Sequence, residues 1–293
     1  MEITIIKENL KEALDIISRI SGGVGESSST LPILKNVLIE AEENNINLST
    51  TNLEMGITYS LGGKVIQSGK STVPVSFLSQ VVNNIQEGRL HLSSKEGSLE
   101  IKTDNYNAVI QELPSDEFPI IPKLEKNDTF LEIKSNSLKD ALERVTTAAQ
   151  FSDLRPELNS VFFQFSLDEI VIAATDSFRL AEEKININQF TAHGKKEEFT
   201  ILIPLKTAHE LIRILKGSET VMLHKDDKQI LFQTDKYELI SRLIEGVFPD
   251  YKGVIPKEFD AEVILKRSEF INAIKLSSVF SNDIHEIGVS RLR

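Results

Sequence analysis

The chain has no cysteine and no tryptophan, and only three methionines among its 293 residues. Without cysteine there is no disulfide, no thiolate nucleophile and no cysteine-held metal or cluster. The histidines, His91, His193, His209, His224 and His285, are scattered without metal-ligand spacing and read as surface residues. No apolar run approaches the roughly 18 residues of a membrane span. The opening Met1-Glu2-Ile3-Thr4-Ile5-Ile6-Lys7 holds too short an apolar run for a signal peptide, so the expected location is cytoplasmic. Positive charge is also scarce: 33 Lys and Arg stand against 44 Asp and Glu, a net charge of −11. A body of that sign repels phosphates as a whole, so any contact with nucleic acid must come from a local basic face.

Motifs for chemistry are missing too. Gly69-Lys70-Ser71 has the look of the end of a phosphate-binding loop, but Lys64 stands where that loop needs its first glycine. Gly22-Gly23-Val24-Gly25 follows a helical pattern instead of a strand, the wrong order for a dinucleotide fingerprint. No Gly-x-Ser-x-Gly elbow occurs, and the carboxylates show no catalytic pairing. Asp176 follows an apolar strand but reads as a turn residue that satisfies backbone groups, in preference to a catalytic carboxylate. No catalytic residue, metal or cofactor is expected.

What is present is repetition in a chain long enough for two or three domains. With 40% hydrophobic and 26% charged residues, its composition is that of a soluble globular protein. Ile3-Thr4-Ile5 predicts a strand, and Asn9 a cap for a helix carrying Ala13, Leu14, Ile17 and Ile20. Strands are predicted over Asn36 to Ala41, Ile46 to Thr50 and Gly56 to Ile66, with a tight turn at Asn44-Asn45. Pro74 opens a second helix, and three more strands follow over Arg89 to Ser93, Ser98 to Thr103 and Ala108 to Leu113. Strand, helix, three strands is thus given twice. The same landmarks return in the same order roughly 124 to 132 residues later: Leu10-Lys11-Glu12-Ala13-Leu14 as Leu138-Lys139-Asp140-Ala141-Leu142, Thr51 as Thr175, Pro74 as Pro204, and Phe118-Pro119 as Phe248-Pro249.

The proline-punctuated segments from Pro114 to Pro122 and from Phe248 to Pro256 read as linkers packed on a domain by their isoleucines and aromatics. Boundaries follow at 1–122, 123–256 and 257–293. The third copy begins near Phe259 with a strand, a helix from Ser268 and a strand start at Gly288-Val289, then stops at Arg293. It has little to bury its apolar face against, and the chain is expected to be incomplete there.

The helix after Pro204 has two faces. Leu205, Ala208, Ile212 and Leu215 form an apolar stripe, while Lys206, His209, Arg213 and Lys216 form a neighbouring row of donors. That row reads equally as a solvated face or as one that faces phosphates without reading sequence.

Several segments resemble one family in order along the whole chain: Thr30-Leu31-Pro32-Ile33-Leu34-Lys35-Asn36, Thr51-Asn52-Leu53-Glu54-Met55, Ala174-Thr175-Asp176-Ser177-Phe178-Arg179-Leu180-Ala181 and Phe248-Pro249-Asp250-Tyr251. These resemble the bacterial DNA polymerase III beta subunit, the sliding clamp. The resemblance implies an α+β clamp fold of repeated domains, each with two helices on one side and antiparallel sheets on the other, here two full copies and part of a third. It also implies a ring of two subunits joined head to tail around duplex DNA, tethering the replicative polymerase and engaging the clamp loader and other peptides. A ring of this kind separates an acidic exterior from a mildly basic lining.

Carried over by position, Lys206 and Arg213 match lining positions and Arg155 a DNA-proximal arginine, although Pro156-Glu157 replaces a familiar aromatic pair and the loop from Gly22 to Ser29 lacks a familiar basic residue. Leu158, Thr175, Ser177, Phe178, Arg179, Leu180, Pro249, Gly253 and Val254 match the pocket for partner peptides. Ser177-Phe178 stands where glycine and histidine are familiar, and Gly253 where a basic residue is. Ala108 and Ile110 match one side of the subunit interface and Val279 and Phe280 the other, with a core role open for these apolar residues. The alternative expectation is a regulatory or decoy protein that binds the polymerase or loader without encircling DNA.

Overall fold

The computed structural model describes residues 1–21, 31–43, 45–126, 128–151, 154–194, 198–217, 219–256, 258 and 260–278. Alternating burial along the strands and apolar stripes along the helices produce one element order twice. Five strands follow the first helix of each copy where three were predicted, because the strand expected over Gly56 to Ile66 divides in two and a further strand runs up to the proline. The first copy runs β1 (Glu2–Ile6), α1 (Lys7–Ile17), β2 (Asn36–Glu42), β3 (Asn45–Thr51), β4 (Met55–Gly62), β5 (Lys64–Gln67), β6 (Gly69–Pro74), α2 (Val75–Asn84), β7 (Arg89–Lys95), β8 (Ser98–Lys102) and β9 (Asn107–Gln111). The second runs β10 (Phe130–Lys134), α3 (Ser135–Val145), β11 (Ser160–Phe165), β12 (Glu169–Thr175), β13 (Leu180–Asn186), β14 (Phe190–His193), β15 (Phe199–Pro204), α4 (Leu205–Ile214), β16 (Thr220–Lys225), β17 (Gln229–Gln233) and β18 (Tyr237–Arg242). Pro74 and Pro204 each stand at a helix N-terminus, where a missing N–H costs little.

Three local expectations change. α1 starts at Lys7, so Asn9 lies inside its first turn and caps nothing. Glu42 pairs with Asn45, so Asn45 belongs to β3 and not to the turn, and Glu43 stands at φ +49°. Gly69-Lys70-Ser71, where no strand was predicted, opens β6, because it pairs with β2 from Ala41 back to Ile39.

The strands form three antiparallel sheets in the orders β5-β1-β7-β8-β9, β13-β12-β11-β15 and β14-β10-β16-β17-β18-β4-β3-β2-β6. The nine-stranded sheet crosses from one copy to the other where β18 pairs with β4, Tyr237 opposite Tyr59 and Leu239 opposite Ile57. Ile57 and Leu239 are fully buried there. The Ser60 N–H donates to the Lys236 carbonyl at 2.8 Å, and the Arg242 N–H to the Glu54 carbonyl at 3.0 Å. Lys236 Nζ meets Glu12 Oε1 at 2.7 Å, and the Tyr59 and Tyr237 rings stack at 6.4 Å. Burial raises the Tyr237 phenol well above its ordinary pKa.

Helices pack in pairs, α1 with α2 and α3 with α4, each driving its apolar side into one core that runs through both copies. The segment between the copies lies on the shared sheet, as its apolar content predicted. Phe118 packs with Ile33, Leu34 and Leu38, Leu124 with Leu231 and Ile240, and Ile121 touches both groups. Ile121 presses so closely on β4 that a Cβ at Gly56 would fall 2.8 Å from its Cγ2.

These elements make up one unit, Met1–Pro249; residues from Asp250 onward make up another. The second unit holds a short 3-10 turn, Lys252–Val254, and α5 (Arg267–Ser278), none of whose described residues is buried. The strand expected ahead of this helix is not formed over 260–266. Among the described residues of its unit there is no neighbouring strand to satisfy its N–H and C=O groups. The strand start expected at Gly288-Val289 lies outside the described residues.

If apolar burial holds the two copies together, Leu239→Ala should lower unfolding stability by ~2–5 kcal/mol. Lys236→Met, which removes the half-exposed pair with Glu12 and the ammonium's contact with Tyr59, should cost under ~1 kcal/mol. Urea unfolding of the two variants checks this contrast.

Candidate nucleic-acid interface and peptide-docking loop

α4 buries Leu205, Thr207, Ala208, Leu211 and Ile214, which turns Lys206 and Arg213 outward, with Lys216 exposed just beyond its end. Thr207 is anchored by a buried hydrogen bond of 2.7 Å shared with Ser241 of β18, so the seam between the copies also sets the helix's rotation. The face carries less charge than four donors suggest. Arg213 Nη1 pairs with Glu210 Oε1 at 2.7 Å, and Glu210 is mostly covered. Burial pushes the Glu210 carboxyl up, and Arg213 offsets part of that. His209 is held below the usual histidine range by burial and then by Arg213, so at neutral pH it is an uncharged imidazole stacked on Phe151 at 5.7 Å. Glu210 was legible in the sequence as the residue three before Arg213.

The Thr175–Arg179 loop is built by side-chain capping of its own backbone. Thr175 Oγ1 donates to the Arg179 carbonyl at 2.7 Å and accepts from the Ser177 N–H at 3.1 Å. Asp176 Oδ1 accepts from the N–H groups of Phe178 and Arg179 at 3.0 and 2.9 Å, while Oδ2 takes Arg179 Nε at 2.9 Å. Burial raises the Asp176 carboxyl, but these donors outweigh it and leave the pKa below the usual aspartate value. The carboxylate is thus fully employed as a turn residue. Its first-copy counterpart has the same wiring: Thr51 Oγ1 donates to the Met55 carbonyl at 2.9 Å, and Asn52 Oδ1 accepts from the N–H groups of Glu54 and Met55. Ser177 and Leu53 share left-handed backbones, φ +76° and +74°. A glycine would adopt that conformation without steric cost.

Around this loop the structure gathers part of the candidate peptide site. Arg155 Nη1 donates to Ser177 Oγ at 3.3 Å, so the arginine assigned to DNA sits against the docking loop. Leu158 and Thr175 are buried, whereas Phe178 is 95% exposed and Arg179 is exposed beside it. Phe248 stacks on Phe162 at 4.9 Å, which fixes the chain just before exposed Pro249, and the neighbouring Val247 is also exposed. Val247 adds an apolar group that the sequence motifs did not single out. Gly253 and Val254 belong to the second unit, where both are exposed in the 3-10 turn.

Of the candidate interface residues, Ala108 and Ile110 turn toward the core, opposite Ile101 and Leu99. Their strand β9 pairs only with β8 among the described strands, so what it offers a partner is an open backbone edge and the exposed Val109. Alternation along a strand explains this: register puts Val109 on the opposite face from its neighbours. Val279 and Phe280 lie outside the described residues.

Two family models match the chain: the DNA polymerase III beta subunit N-terminal domain over residues 1–122, and its central domain over 132–250. The beta sliding clamp of Synechocystis sp. is 28% identical, across 96% of this chain and 76% of that protein. The solved DNA polymerase III beta subunit of Thermotoga maritima is 27% identical with a TM-score of 0.83, across 95% of this chain and 74% of that one. The Helicobacter pylori beta clamp bound to a DNA ligase peptide shares the fold at a TM-score of 0.82 and 20% identity, across 96% of this chain and 77% of that one. Repeat order, sheet topology and the paired family models agree, and the chain belongs to the bacterial DNA polymerase III beta-subunit family, the beta sliding clamps.

Proposed function

We propose that the protein works in DNA replication as a sliding clamp: a ring-shaped homodimer that encircles duplex DNA and tethers the replicative polymerase in the cytoplasm. The observation that carries this reading is the edge-to-edge joining of β18 to β4. It adds one clamp-type copy to the next, and β9 and β13 present open edges at which the same kind of pairing can be repeated. The copies are assigned to 1–122 and 123–256, with a third beginning at 257. Retention on DNA is topological in such a ring, so its lining needs only the weak charge that α4 carries. Clamps supply processivity and leave catalysis to the polymerase. That division suits a chain whose most engaged carboxylate, Asp176, spends its oxygens on a turn.

Lys206, Arg213 and Lys216 serve as the phosphate-facing cations, with His209 a neutral neighbour. Leu158, Thr175, Ser177, Phe178, Arg179, Leu180 and Pro249, together with Arg155, form a docking surface for short hydrophobic peptides of polymerases, the clamp loader and repair factors. The peptide-bound clamp of Helicobacter pylori supports that ligand class. Gly253 and Val254 are separate candidates for peptide contact on the second unit, while β9 and the segment holding Val279 and Phe280 join subunits.

Loading onto nicked circular DNA by a clamp loader tests the ring. A clamp stays on the circle through gel filtration and is lost when the circle is linearised. A non-encircling decoy shows no dependence on DNA topology. In the same protein, Phe178→Ala should weaken a fluorescent clamp-binding peptide by about tenfold or more, as loss of an exposed aromatic anchor does. The unfolding midpoint should barely move, since no core contact is lost, and retention on circular DNA should be unchanged.

A further inference from the structure

The second copy contains a cavity that its docking loop and helix face do not use. It lies at the end of the copy where β14, β10 and β16 meet the turn between β11 and β12, and its volume is about 230 Å³. Its lining is mixed: Leu131, Leu167, Leu223, Ile230 and the aromatic rings supply the apolar part, and Thr129, Ser166, His193 and His224 a polar part. The Phe165 and Phe199 rings stack on each other at 4.4 Å, so they meet the cavity by their edges. Lys225 also lines the cavity, with its Nζ 4.7 Å from the centre of the Phe199 ring. Among the described residues this ammonium has no ion pair and no hydrogen-bond acceptor. Nearby His193 cannot share the role, because its Nε2 is already engaged by Glu132 Oε2 at 3.0 Å.

The internal repeat shows why the space is open. In the first copy Ile3 of β1 pairs with Leu92, and in the second Leu131 of β10 pairs with Leu223, so Thr129 stands where Met1 stands. Met1 is buried in the core, whereas Thr129 is shorter and exposed. An apolar cavity of about 150 Å³ already accepts benzene. This one has room for an aromatic ring and a short chain besides.

The geometry points to a binding site for a small aryl or arylalkyl carboxylate, its ring among Leu131, Leu167, Leu223 and Ile230 and the edges of Phe165 and Phe199, and its carboxylate on Lys225. The apolar part of the lining favours the ring by burial, and the ammonium, partnered only by an aromatic face, gains a charge-assisted hydrogen bond. An uncharged ligand of the same shape would lose that second term.

Protein-observed NMR titration of the whole chain with 3-phenylpropionate, and in parallel with 3-phenylpropan-1-ol, tests the site. The expected result is a dissociation constant on the order of 1 mM for the acid, with shifts centred on the amides of Leu131, Ala192, Leu223 and Ile230. Lys225→Gln should weaken the acid by about tenfold and leave the alcohol unchanged. Ala192→Leu, which narrows the cavity beside Leu131, should weaken both ligands. Because Lys225 is a partly exposed side chain, its variant keeps the test decisive even if the narrowed protein folds poorly. No binding by the unmodified protein at ~10 mM would overturn the inference. So would equal binding of acid and alcohol, an unchanged affinity in Lys225→Gln, or shifts centred on Phe178.

Discussion

The pairing of β18 with β4 is the contact on which the first 249 residues depend. Neither copy closes its own sheet there. Each would otherwise expose a full strand edge, with backbone groups that water or a stray chain would have to satisfy. Joining them makes one nine-stranded sheet, buries Ile57 against Leu239 and lets the linker lie flat across both copies through Phe118, Ile121 and Leu124. The charged pair of Lys236 and Glu12 decorates this junction at the surface, where ion pairs contribute little. Through Thr207 and Ser241 the same seam reaches α4 and fixes which of its sides faces outward. The candidate phosphate-facing helix is thereby tied to a sheet contact in another layer.

Charge is distributed with the same economy. A chain with 44 acidic and 33 basic residues cannot hold DNA by its bulk field, and even its most basic helix face neutralises Arg213 with Glu210 and keeps His209 uncharged. Weak contact suits a device that must slide, since each firm phosphate contact would have to break at every step. The candidate docking loop follows a different rule: Thr175 and Asp176 spend their polar atoms holding the turn, so Phe178 is presented almost fully exposed on a hydrogen-bonded base. Presentation on a preformed turn lowers the ordering cost of binding a peptide.

Much of this was legible in the sequence because it repeats. Alternating strands, two prolines at helix starts and the recurring Thr51 and Thr175 gave the element order and the linker packing. Details set by pairing were less legible. The start of α1 at Lys7 follows from β1 handing directly into the helix, and β6 forms because β2 supplies an edge for Gly69 to Pro74. The third copy shows the converse: a strand pattern without a partner strand stays irregular over 260–266. At the candidate sites, residue types were readable but not their electrostatic partners. Nothing in the pattern around Arg155 announced Ser177, which lies across a loop, and the inward turn of Ala108 and Ile110 required the register of β8 and β9.

Amide hydrogen exchange across Met55–Gly62 and Tyr237–Arg242 tests the role of the seam most directly. If the two copies are one cooperative body joined at β4 and β18, these amides exchange as slowly as those of the interior strands β3 and β17, through global opening alone. Exchange there that is faster by orders of magnitude, while β3 and β17 stay protected, would show two copies that part independently and would contradict the account.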